Sequence, residues 1–145
     1  MNENYSHNFQ ESIYIDCILE LDDVTFEQAS ELRLLAPYGK ANKEPLICSY
    51  AVSPEQLRVI PEKDTMIMKF MTRDSYRTVK GVCFGMISVF RERLSARYND
   101  LTIEKICNGV LRGSDLKMDL VYAIDIDSYD GNKNVQMRIR DFRIY

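Results

Sequence analysis

The 145-residue sequence predicts a mainly β chain with helices (α+β), a small barrel of five strands preceded by a strand-helix lead-in. Three observations predict it. Residues 116–127 alternate apolar and polar positions at period two, the signature of a strand with one buried face. Two segments, 25–35 and 86–98, repeat apolar residues every three to four positions, as a helix buried on one side must. From residue 46 onward the elements follow the order three strands, helical connection, two long strands.

The lead-in comes first. In "IYIDCILEL", residues 13–21, Ile13, Ile15, Cys17, Leu19 and Leu21 fall on one side of an extended chain and Tyr14, Asp16 and Glu20 on the other. "TFEQASELRLL" then opens with Thr25 and carries Gln28 three residues on, a capping-box spacing, with Phe26, Ala29, Leu32 and Leu35 at helical period. Pro37 ends that helix, because a proline drives the residue before it out of helical dihedrals. In the loop that follows, Tyr38 reads as a latch packing the helix end against the barrel, with base stacking as its other reading. Gly39 permits the turn and Pro45 begins the barrel.

Past Pro45 the chain becomes extended. "LICSYAV" is a strand, Pro54 and Pro61 bracket a short irregular piece, and "TMIMKFM" alternates Met66, Met68 and Phe70 against Lys69. A turn at "TRDS" leads into "YRTVKGVCFG", where Gly81 and Gly85 mark a close backbone approach or a bulge. Ile87, Phe90, Leu94 and Tyr98 predict a helix with Arg91, Arg93 and Arg97 on its wetter side, and "LTIEKICNG" continues as a long connection. Leu116, Met118, Leu120, Tyr122, Ile124 and Ile126 form the next strand, alternating with Asp115, Lys117, Asp119, Asp125 and Asp127. After a turn at "YDGN", Val135, Met137 and Ile139 return opposite Gln136, Arg138 and Arg140. This is the order of an OB-fold, a five-stranded Greek-key barrel, and closure removes the exposed edges that five strands would otherwise present. The division expected is 1–45 for the lead-in and its loop, and 46–145 for the barrel.

Composition narrows the chemistry. At 46% apolar and 28% charged, with no apolar run near the ~20 residues of a membrane helix and no signal-like start, the chain reads as a cytoplasmic globule without a membrane partner. Cys17, Cys48, Cys83 and Cys107 lack C-x-x-C spacing and read as small buried hydrophobes. His7 is the one histidine, which argues against histidine catalysis or a multi-histidine metal site. Phosphate-cradling glycine motifs are absent. Asp125, Asp127, Asp130 and Gly131 approach a calcium loop but place the glycine one residue late with no closing glutamate, so they read as hairpin face and turn. The net charge of −3 conceals an asymmetry: residues 1–36 hold eight acids against Arg33, and the remainder holds eighteen bases against fourteen acids. Only the second part could face a polyanion.

Four stretches together resemble the C-terminal region of RecJ, a bacterial single-stranded-DNA-specific exonuclease of the DHH phosphoesterase family. They are "YIDCILEL", "LLAPYGKANKEPL", "TVKGVCFGM" and the closing "DLVYAIDIDSYDGNKNVQMRIRDFRIY", and they occur in the family's order. Ala41 stands at a customary glycine, Lys43 at a common proline, and the connection over 86–112 is longer than usual. The family's metal-holding Asp and His motifs and its glycine-glycine-histidine motif do not occur in this chain. The resemblance therefore implies a C-terminal piece of a larger protein, not itself an enzyme and without a cofactor, with a divalent metal expected only in the missing catalytic domains. It implies a single-stranded-DNA-binding module of a 5′–3′ exonuclease in DNA repair and recombination, its partners being single-stranded DNA and those catalytic domains.

On the usual OB map the second and third strands and the first and last hairpin loops meet the ligand. That makes Lys69, Tyr76, Arg77 and Lys80 the leading DNA-binding candidates, with Arg138 and Arg140 as further phosphate contacts. The plain alternative for each is a solvated sheet face. The alternative for the whole module is a structural or protein-interaction OB domain that orients the nuclease or recruits a repair protein.

Overall fold

A computed structural model describes residues 15–35, 44–109, 116–127 and 134–145. Among these residues seven strands form one sheet in the order β1-β2-β6-β7-β5-β4-β3: β1 Cys17–Ile18, β2 Ile47–Val52, β3 Gln56–Ile60, β4 Thr65–Met71, β5 Thr78–Phe84, β6 Met118–Asp127 and β7 Asn134–Ile144. Three α-helices accompany them among the described residues, α1 Phe26–Leu35, α2 Ile87–Ser95 and α3 Asp100–Cys107. Among the described residues, no helix is long and apolar enough to cross a membrane.

The strand order forces a barrel. β2 and β3 are separated by residues 53–55 alone, yet four strands lie between them in the sheet. In a flat sheet they would stand about 24 Å apart, whereas the connecting residues reach about 14 Å at full extension. The sheet has to curl until its ends meet. β5 and β7 are its parallel pair within the barrel, and every other barrel pairing is antiparallel. This is the OB arrangement, with its first strand split into β2 and β3.

That split corrects the expected strand count. "QLRVI", between Pro54 and Pro61, is a full strand paired residue by residue with β4. The prolines flank it rather than interrupt it, so neither removes a ladder donor. The bend beside it is marked by Ala51 at φ 53° and a register shift between Ser49 and Val52.

The alternating positions fill the interior. Met66, Met68 and Phe70 of β4, Val79 and Cys83 of β5, Leu120 and Tyr122 of β6, and Met137 and Ile139 of β7 share one core. Gly81 faces the same space, where an added Cβ would stand 2.9 Å from Ile139 Cδ1, so glycine there is the expected close approach. Phe90 and Leu94 of α2, with Ile103 and Ile106 of α3, extend this core. Phe90 meets Phe142 edge to face at 5.7 Å. The connection after residue 98 is therefore a second helix rather than an irregular link, begun by Asn99, whose Oδ1 accepts the Thr102 N–H at 2.8 Å.

The lead-in departs most from expectation. The strand predicted over 13–21 reduces, within the described residues, to Cys17–Ile18 alongside β2, and Leu21–Asp23 forms a 3₁₀ turn. Its alternation nevertheless holds: Ile15 is buried against Cys48 and Val121, while Asp16 and Glu20 are exposed. α1 starts with one half of the expected capping box: the Gln28 N–H donates to Thr25 Oγ1 at 3.1 Å, while the Thr25 N–H donates to the Asp23 carbonyl at 3.0 Å. Val24 and Ala29 enter the main core. Pro37, Tyr38 and Gly39, with the joint assigned to them, and the turn at Gly131 lie outside the described residues.

Buried polar groups on β6 are paired. Tyr122 donates to Ser49 Oγ at 2.7 Å, and Ser49 donates onward to the Leu19 carbonyl at 2.7 Å. Asp119, expected on the polar side of the strand, is instead fully buried. It accepts from Arg143 and from the Ala51 N–H, the latter at 2.8 Å. Likewise Arg93, expected on the wet side of α2, donates to buried Asp141 at 2.9 Å.

Candidate nucleic-acid interface

The outer face of β3, β4, β5 and β7 carries an uninterrupted polar row. Cross-strand register sets Gln56 beside Lys69, Lys69 beside Lys80, and Lys80 beside Gln136. Lys69 and Lys80 are both exposed. Residues directly opposite in an antiparallel pair hold their Cβ atoms about 5 Å apart, and like charges placed so destabilise the pair. No ion pair to either lysine occurs among the described residues. The arrangement concentrates positive charge at a cost to folding, and an anion laid across it would relieve that cost.

The next row supplies Arg58 on β3, exposed, and Arg138 on β7, with half-buried Ile67 and buried Val82 between them. Phe84 ends the same face of β5, in phase with Lys80 and 59% exposed. Met71, at the opposite end of β4, is also exposed. Cations with an accessible ring are the components from which single-stranded nucleic acid sites are built, the cations following phosphates and the ring stacking a base.

The six residues singled out from sequence occupy different situations. Lys69 and Lys80 stand together at the centre of the face. Tyr76 sits on the tip between β4 and β5, 78% exposed and at φ 53°. Arg77, on the same tip, turns to the lead-in and donates from Nη2 to the Asp22 carbonyl at 3.0 Å. Arg138 grips Asp125 through Nε at 3.1 Å and Nη2 at 3.0 Å, and also contacts Glu44. Its hydrogen bond to Asp125 leads the causes that raise its pKa further above the ordinary arginine value. Arg140 is exposed at the bulge where β7 gains a residue relative to β6.

Arg58 and Phe84 were missed by sequence reasoning. Arg58 belongs to the strand read as irregular; its signal was the alternation of "QLRVI". Phe84 received no assignment within "VCFGM", although its phase with Thr78 and Lys80 places it outside.

The tip itself is tightly tied. Thr72 N–H donates to the Arg77 carbonyl at 2.7 Å, and Arg77 N–H returns to Thr72 Oγ1 at 2.8 Å. The Asp22 carboxylate, from the lead-in, receives the N–H groups of Asp74 and Ser75, each at 3.1 Å, and the Ser75 hydroxyl at 3.0 Å. Desolvation pushes the Asp22 pKa up, but the hydrogen bonds from Ser75, Asp74 and Thr72 prevail and hold it below the ordinary value.

Among the described residues, no group of three or more His, Cys, Asp or Glu side chains is placed to hold a metal ion. Burial pushes the Cys48 thiol up to about 11 and the Cys83 thiol up to about 12, the opposite of what a nucleophilic thiolate requires.

The family model described as the RecJ OB domain matches residues 15–141. Among solved structures, the chain is similar to RecJ from Thermus thermophilus in complex with Mn2+, at 19% identity and TM-score 0.48, covering 97% of this chain and 18% of that one. The Mg2+ complex of the same protein gives 18% identity and TM-score 0.47 over the same shares. An SSB domain from Synechococcus sp. is similar at 17% identity and TM-score 0.35, covering 68% of this chain and 90% of that one. The chain thus spans under a fifth of the RecJ structures it matches. No curated protein sequence matches it.

Proposed function

Because the chain belongs to the RecJ OB domain family, we propose that it is the single-stranded-DNA-binding module of a RecJ-like 5′–3′ exonuclease. Hydrolysis, and the divalent metal it needs, belong to catalytic domains carried elsewhere in the parent protein. The module holds the strand while those domains remove nucleotides, in repair and recombination. Tethering raises the local concentration of DNA at the catalytic part, so modest intrinsic affinity suffices.

One observation carries the reading: Lys69 and Lys80 face each other across β4 and β5, exposed, with no ion pair among the described residues. A purely structural sheet face gains nothing from that pairing. Arg58 and Phe84 extend the same face and supply a further cation and a ring.

Fluorescence anisotropy with a labelled oligothymidine tests it. Binding is expected at low ionic strength and should weaken steeply with salt, because each phosphate neutralised on a single strand contributes about −0.7 to the slope of log K against log salt. Absence of salt-sensitive binding at high protein concentration would overturn the reading in favour of an OB domain that only orients the nuclease or recruits a repair protein.

A further inference from the structure

Resting on the single-stranded-DNA reading above, we propose that Asp22 is a positioning residue of the interface: it fixes the β4–β5 tip so that Tyr76 stands ready as a stacking platform at the end of the lysine face. The acidic lead-in thereby becomes a working part of a site whose ligand is itself an anion.

Three observations meet here. First, Asp22 is the hub of the tip. Its carboxylate takes three hydrogen bonds from Asp74 and Ser75, and its carbonyl takes a fourth from Arg77. Residues more than fifty positions apart are tied together, and the tied segment immediately precedes and follows Tyr76.

Second, Tyr76 holds a backbone conformation that bulky side chains avoid. Its φ is 53°, in the left-handed region where glycine, asparagine and aspartate are the usual occupants. Asp64, at φ 48°, is an ordinary resident of that region; a tyrosine is not. Third, the ring is 78% exposed, so burial does not compensate for the backbone. A strained, exposed aromatic held by a hydrogen-bonded frame suits binding better than folding. Its place follows from the register: the outward pair Met71 and Thr78 continues the Lys69 and Lys80 pair toward the tip.

Charge gives the proposal an unusual edge. Removing a carboxylate beside a DNA site should tighten binding if charge alone mattered. Removing Asp22 is expected to weaken it, because the loss of tip order outweighs the gain.

The experiment is oligothymidine anisotropy on Asp22→Ala, Asp22→Asn, Tyr76→Ala, Tyr76→Gly, the Asp22→Ala/Tyr76→Ala double variant and Lys69→Ala, with melting temperatures recorded for each. Tyr76→Ala is expected to weaken binding about tenfold, within the range for one lost base stack. Asp22→Ala should weaken it nearly as much, and the double variant no more than either. Asp22→Asn keeps an oxygen for the Asp74 and Ser75 amides and should restore most of the affinity. Tyr76→Gly should lose affinity with an unchanged or higher melting temperature, since glycine accepts the left-handed backbone. Hydrogen exchange in Asp22→Ala should quicken at the amides of Asp74 and Ser75.

The proposal is overturned if Asp22→Ala binds as well as the parent or better while Lys69→Ala is weakened. Losses from Asp22 and Tyr76 that simply add would overturn it too. If the parent chain shows no binding, the single-stranded-DNA reading falls and this inference falls with it, a result distinct from both.

Discussion

The two cationic regions of this barrel are built on opposite rules. On β4 and β5, Lys69 and Lys80 oppose each other, and no ion pair to them occurs among the described residues. On β7 and α2, arginines are matched to carboxylates: Arg143 to Asp119, Arg93 to Asp141, and Arg138 to Asp125 and Glu44. Residue type alone does not sort them, since exposed Arg58 stands on the lysine face. Guanidinium groups fork onto carboxylates with fixed geometry, whereas lysine presents a compact charge on a flexible stem. The lesson is that a cation's neighbour, more than the cation, indicates whether it serves the fold or a ligand.

The sharpest break of this contrast is Asp119→Asn. Asp119 is fully buried and Arg143 is a third exposed, so the arginine can partly rehydrate when its partner is neutralised. A loss of about 2–3 kcal/mol is expected, just under the range for breaking a fully buried pair, and urea unfolding reads it directly. Oligothymidine affinity of the folded fraction should not change. A destabilisation within experimental error would mean that the arginine belt is ornamental and the distinction between the regions unfounded.

Replacing both Lys69 and Lys80 with alanine should do the reverse. Binding is expected to weaken by about 2 kcal/mol, roughly thirtyfold at low salt, and the salt slope should fall by about 1.4 if each lysine meets one phosphate. Stability should rise by a few tenths of a kcal/mol as the like-charge repulsion disappears. Salt titration by anisotropy and urea unfolding of the same samples check both signs. Weaker folding together with unchanged binding would reverse the assignment.

Phe84→Ala sharpens the lysine side of the comparison. The ring is largely in solvent, so folding should be nearly unaffected while binding loses at least about 1 kcal/mol, or fivefold, with little change in salt slope. Stacking and charge would then be separated on one face. A fall in salt slope equal to that of a lysine variant would show that Phe84 acts by shaping the face rather than by stacking.

Much of this fold was readable because alternation on β4, β5, β6 and β7 is long and regular, and because Phe90 and Leu94 keep helical spacing. What failed was whatever depends on distant register. β3 is five residues between prolines, too short for its pattern to outweigh its punctuation. Asp119 resembled a surface residue because alternation alone exposes it. The extra residue at Arg140 shifts β7 by one position, so that Asp119 meets Arg143 where an unbroken ladder would set it against Phe142. The lysines were legible as candidates from their phase; their direct opposition depended on the six-residue tip between Met71 and Thr78, which sequence reading made shorter. Asp22 left no local signal at all, since its partners lie more than fifty residues away.

Arg138→Ala is the smallest expected effect and the most direct test of the rule. Sequence alone places this arginine among the further phosphate contacts, behind the lysines. In the fold it is 30% exposed and engaged by Asp125 and Glu44, themselves 39% and 51% exposed. Exposed pairs of this kind are screened, so stability should fall by less than about 1 kcal/mol. Its guanidinium could serve a phosphate only by giving up two carboxylates that would remain nearby and repel the strand. Affinity should therefore fall less than in Lys80→Ala, measured side by side in the same buffer. An equal loss would mean that phosphate displaces the carboxylates, and that a paired cation on this barrel is held in reserve for DNA rather than committed to the fold.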